Sequence, residues 1–166
     1  MRAGGHVVHE GDAWLMTAAE FWGFVRSSAA AIEGVHAELV ALIDADAECV
    51  TWYVSGGGAS VHSGISDPTA DMAMRRQADL TRQIADKRAQ LDELESVVGH
   101  ALALLPAIVA NVSERAALAM ELYYIDLADT WSEVAAELCV SRETVRADCR
   151  AVLDWMDAKP RLMDFS

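Results

Sequence analysis

The chain is predicted to be all-α: a long antiparallel helical hairpin of coiled-coil character followed by a C-terminal helix-turn-helix bundle. Three observations predict it. Two long segments carry apolar residues at three- and four-residue steps behind clear N-terminal caps. The glycine- and serine-rich stretch SGGGASVHSG separates them. Finally, TWSEVAAELCVSRETVRADCRAVLDW, Thr130 to Trp155, reads as two short helices joined by a tight turn. The expected organisation is a disordered N-terminal extension over 1–15, the hairpin over 16–110 with its connection at 55–66, and the helix-turn-helix over 111–166.

Residues 1–15 hold one arginine, glycines, histidines and acids, without the apolar core of a signal peptide, so no secretion and no function are expected there. The first helix runs from Met16 to about Val54, opened by a capping box of Thr17 and Glu20. Phe21, Val25, Ile32, Val35, Leu39 and Leu42 make its seam. Trp14, Phe21, Trp22 and Phe24 are expected to serve as hairpin core and staple. The glycines at 56–58 lack the lysine and hydroxyl residue of a phosphate loop and read as a linker. The second helix opens at Asp67-Pro68, an N-cap followed by proline at the first helical position, and runs to about Leu105. Leu80, Ile84, Leu91, Leu94, Val98, Ala101, Leu105 and Ile108 form its near-heptad seam. The longest apolar run, around Ala101 to Val112, contains Pro106 and falls short of the about 20 residues that span a bilayer, so no membrane is expected and the chain is placed in the cytoplasm. Ser113 caps a helix beginning at Glu114.

Thr130 with Glu133 is a second capping box and starts a helix at Trp131. Val134, Ala135 and Leu138 are its apolar positions, and the small Ala135 lets a second helix cross closely. After the Cys139-Val140 turn, Ser141 caps a helix in which Val145, Cys149, Val152 and Met156 define one buried stripe. Arg142, Arg146 and Arg150 drift by about 40° per step and occupy one flank beside that stripe. A recognition helix puts its N-terminal residues against base edges in the major groove, which makes Arg142, Glu143 and Arg146 the candidate readers. Arginine pairs bidentately with guanine and a carboxylate accepts from cytosine N4, whereas Arg150, Ser141 and Thr130 are placed for backbone contacts. The bland alternative is a solvated helix in which Arg150 and Asp154 form an ordinary i,i+4 pair.

These residues resemble the sigma-factor region-four type of helix-turn-helix. ERAALAMELYYID looks like the helix that precedes the motif there. WSEVAAELCVSRETV matches a pattern of tryptophan, an isoleucine-valine-alanine core, a leucine-glycine-isoleucine-serine turn and a threonine-valine start. The departure is Cys139, where the family usually has glycine. A non-glycine residue in the left-handed conformation costs about 1 kcal/mol, so the turn is expected to be tightened differently. Over about residues 16–157 the layout, with MTAAEFW at its start and SGISDPTADMAMR before the second helix, is similar to a phage and prophage family of unknown function. The C-terminal part of that family is similar to the ArpU and RinA types of phage regulators. The resemblance implies a transcriptional regulator that binds promoter- or operator-like double-stranded DNA, with RNA polymerase as a further partner.

Charge opposes this. The formal net charge is −13. Residues 1–112 hold 7 basic and 15 acidic side chains, net −8, and residues 113–166 hold 6 and 11, net −5. DNA affinity comes largely from cations displacing condensed counterions, so one domain is expected to bind weakly and salt-sensitively. Useful affinity then calls for a homo-oligomer through the hairpin, a tether to polymerase, or both. The acidic helix faces read as solvated surface, or as a face that docks a basic partner.

No enzyme is expected. His6, His9, His36, His62 and His100 are dispersed and fit no zinc spacing, and no metal, cofactor or catalytic residue is assigned. Cys139 and Cys149 are expected as reduced thiols in the helix-turn-helix core. Two other classes stay open: a small-terminase-like packaging component that oligomerises through the hairpin, and a protein-only interaction module that has lost DNA binding.

Overall fold

The computed structural model describes residues 16–56 and 68–163; the proposed extension over 1–15, Trp14, the Asp67 cap and most of the 55–66 connection lie outside them. Among the described residues there is no strand, and the protein is all-α. The order is α1 (Ala18–Gly56), α2 (Pro68–Asn111), α3 (Glu114–Met120), a π turn (Glu121–Ile125), α4 (Trp131–Glu137), α5 (Arg142–Asp157) and a closing 3-10 turn (Pro160–Met163).

The capping box of α1 forms as read. Thr17 Oγ1 accepts from the Glu20 N–H at 3.2 Å, and Glu20 Oε2 accepts from the Thr17 N–H at 2.8 Å. That backbone hydrogen bond holds the Glu20 carboxyl below the usual carboxylate range. Pro68 is the first residue of α2. The sequence places the end of this helix at about Leu105; α2 instead continues through Pro106 to Asn111. Proline removes the bond that the Leu102 carbonyl would accept, a local cost. Burial of Leu104 and Ile108 on either side keeps the helix going. The seam is also displaced. Val97, Ala101, Leu104 and Ile108 are buried, whereas Val98 and Leu105 are only half-buried, one residue and about 100° from where heptad counting puts the centre.

Two compact units emerge: residues 25–102, and residues 16–24 together with 103–163. The second takes in the start of α1 and the end of α2 as well as the helix-turn-helix expected over 111–166. In the 25–102 unit α1 and α2 pack together as a helical hairpin, with Val35 and Leu39 buried on α1 and Lys87 Nζ pairing with Glu38 Oε2 at 2.5 Å. Ser28 on α1 is 1% exposed and its hydroxyl has no hydrogen-bond partner.

The other unit is built around Trp22. Trp22 and Phe21 are fully buried here. The indole N–H of Trp22 donates to Met156 Sδ at 3.1 Å, and its ring lies 5.4 Å from that of Tyr124. The Ala18 N–H, left over at the start of α1, donates to Asp157 Oδ1 at 2.6 Å. Trp22 therefore packs on α5, a role different from the hairpin staple that its position suggests, and Phe24, expected beside it in the core, is exposed.

By length and composition alone, Asp71–Asn111 of α2 is long and apolar enough to cross a membrane. Length and composition do not separate a bilayer helix from a packed one, and Leu104 and Ile108 are packed.

Two outcomes test this packing. Ser28→Ala removes an unpaired buried hydroxyl and is expected to raise stability by about 1 kcal/mol in urea unfolding. A carboxyl lowered on folding contributes stability above its unfolded pKa, about 4.3, and loses it as pH falls through the lower folded value. Glu20→Gln should therefore be less stable than the parent at about pH 7, with the gap narrowing as pH falls below about 4.3; a gap that does not change with pH would exclude titration of Glu20.

Candidate nucleic-acid interface

Each candidate residue stands at a helix start or on α5. Thr130 caps α4: its Oγ1 accepts from the Glu133 N–H at 3.3 Å, while Glu133 Oε2 accepts from the N–H groups of Asp129 at 2.8 Å and Thr130 at 3.4 Å. Ser141 caps α5, its Oγ accepting from the Thr144 N–H at 3.1 Å. Both hydroxyls are thus engaged as acceptors in caps, and both residues are exposed.

The turn between them is a Schellman arrangement. The Cys139 N–H donates to the Ala136 carbonyl at 3.2 Å and the Val140 N–H to the Ala135 carbonyl at 3.0 Å. Cys139 takes φ 54°, the left-handed conformation that glycine adopts most easily. The turn is therefore not tightened differently, as the substitution suggests; a cysteine holds the glycine geometry. Cys139 is also exposed and outside the core, in contrast to its expected place. Cys149 is buried as expected, and desolvation pushes its thiol up to about 12, leaving it neutral and inert.

On α5, Val145, Cys149, Val152 and Met156 are all buried, so the apolar stripe stands as read. Arg142, Glu143, Arg146 and Arg150 are all exposed. Among the described residues none of the three arginines enters a salt bridge, and the Arg150–Asp154 pair does not close. Glu143 is ionised more readily than an ordinary carboxyl because it accepts its own backbone N–H at the start of α5, with Arg142 adding to the effect.

Two features are absent from the sequence reading. Arg115 on α3 reaches Asp148 on α5 with a two-point contact, Nε to Oδ2 at 2.6 Å and Nη2 to Oδ1 at 3.2 Å. The hydrogen bonds and charge of Asp148 raise the Arg115 pKa further. The pair ties α3 to α5 and neutralises one of the two acids lying between Arg142 and Arg150. No spacing rule links residues 33 apart, so nothing local announces it. The other is an aromatic group under α4: Tyr123 of the π turn stacks on Trp131 with ring centres 3.6 Å apart and planes at 15°, and Tyr124 meets both rings edge-on. The tyrosine pair in ELYYID is the signal that could have found it.

Among the described residues no group of three or more His, Cys, Asp or Glu side chains converges as a metal site. Comparison with protein-family models, curated proteins and solved structures finds no match for the chain.

Cys139→Gly is expected to stabilise the protein by about 1 kcal/mol, since it relieves a left-handed residue without removing a buried side chain. A midpoint unchanged or lowered in urea unfolding would show that the cysteine side chain contributes more than its backbone costs.

Proposed function

We propose that this chain is a DNA-binding transcriptional regulator of the phage and prophage type, with α4 and α5 as its helix-turn-helix and α5 as the helix that enters the major groove. One observation carries the reading: Arg142, Arg146 and Arg150 form an exposed flank, in no salt bridge among the described residues, beside a buried apolar stripe. Arg142 and Arg146 contact base edges together with Glu143, and Arg150 meets phosphate. Thr130 and Ser141, exposed at the starts of α4 and α5, are the candidates for backbone phosphate contacts. The regulatory role and the phage setting rest on the sequence resemblance, and the hairpin of α1 and α2 is the proposed surface for self-association or docking on RNA polymerase.

The net charge of −13 favours a second reading, an interaction module that binds only protein. One experiment separates them. In fluorescence anisotropy with prophage intergenic and random duplexes at about 50 and 200 mM salt, the regulator binds the intergenic DNA more tightly and loses affinity as salt rises. Arg142→Ala with Arg146→Ala should lower affinity at least tenfold. Binding unaffected by both changes removes α5 as the reader, and no binding at low salt leaves the protein-only module.

A further inference from the structure

The end of α2 and α3 enclose a groove of about 430 Å³, entirely within the unit that carries the helix-turn-helix. Leu105, Pro106 and Val109 line one side and Leu118 the other, with Glu114 and Glu121 also in the lining. Val109 and Leu118 are 46% and 42% exposed, a high value for aliphatic side chains that face each other across a groove. The two glutamates are seven residues apart, two helical turns, so they stand on the same side of the chain about 10 Å apart. No cation is among the lining residues.

We infer that this groove binds an amphipathic helix of another protein, one that presents an apolar stripe flanked by lysine or arginine residues seven positions apart. An apolar trough between two helices takes a third helix through side chains at i, i+3 or i+4, and i+7. The acidic lining selects for a basic one, because like charges brought together at a contact oppose it and opposite charges fix its register. The same charges decide against a second copy of this chain. Two copies meeting groove to groove would set Glu114 and Glu121 against their own kind. The chain's own basic stretch on α2, Arg75, Arg76 and Arg82, alternates with Asp71 and Asp79, and Arg82 already pairs with Asp79 at 3.5 Å. The site does not depend on DNA binding by α5.

The test uses the full chain and a fluorescein-labelled helical peptide of 22 residues, with leucines at i, i+3 and i+7 and two lysines seven apart, beside a control peptide carrying glutamates in place of the lysines. Saturable one-to-one binding of the lysine peptide is expected, with the glutamate peptide at least tenfold weaker. Glu114→Lys with Glu121→Lys, and separately Leu118→Asp, should each weaken the lysine peptide at least tenfold while far-UV circular dichroism stays unchanged. Glu93→Lys with Glu95→Lys, exposed elsewhere on α2, should leave binding intact and so separates the groove from general attraction to an acidic chain. Equal binding to the groove variants and the parent overturns the proposal. A self-associated species in sedimentation equilibrium that Leu118→Asp dissolves also overturns it, since the occupant is then a second copy.

Discussion

The burial of one face of α5 is the constraint on which the helix-turn-helix unit depends. Val145, Cys149, Val152 and Met156 lie under α3, α4 and the first turns of α1, and that choice of inward face decides what every other residue of the helix can do. Deleting a buried aliphatic group typically costs about 1–5 kcal/mol, more than any surface charge contributes, so the arginine flank is oriented by the apolar stripe and has no say in its own placement. Trp22 adds a directional element: its N–H reaches Met156 Sδ and fixes where α1 starts relative to the end of α5.

An acidic chain with a cationic flank has to manage its charge locally. Three exposed arginines stand on α5 in no salt bridge among the described residues, and Asp148, which would otherwise weaken their field, is held by Arg115 from α3. Glu143 remains charged at the helix start, where the backbone stabilises it. The same unit collects acid elsewhere, at Glu114 and Glu121 beside the apolar groove. The cationic flank and the acidic groove lining are thus carried by different residues of the same unit.

Which of these features the sequence discloses follows from how far apart their parts lie. Among the described residues, the caps that can be read within four residues are present: Thr17 with Glu20, Ser113 at α3, Thr130 with Glu133, and Ser141 at α5. The stripe on α5 is equally legible, because 3.6-residue periodicity is a local property. What was not legible is what distant residues settle together. Val97 and Leu104 replace Val98 and Leu105 at the centre of the α2 seam because packing, and not counting, selects the face. Trp22 belongs with α5 and Arg115 with Asp148, each through a neighbour far along the chain, and Pro106 stays helical because Leu104 and Ile108 beside it are buried. Cys139 is the instructive case: the residue type argued against a left-handed turn, and the two hydrogen bonds of the Schellman arrangement impose it.

The bond from the Ala18 N–H to Asp157 Oδ1 joins residues 139 apart. During synthesis, which adds about 5–20 residues per second, the 25–102 hairpin can form as soon as it emerges, while the start of α1 has no α5 to receive it. Trp22 therefore lacks its Met156 partner until the last helix has been made. The nascent chain carries that indole without its α5 partner for several seconds, which is the interval in which a chaperone, or a neighbouring chain offering its own α5, would encounter it.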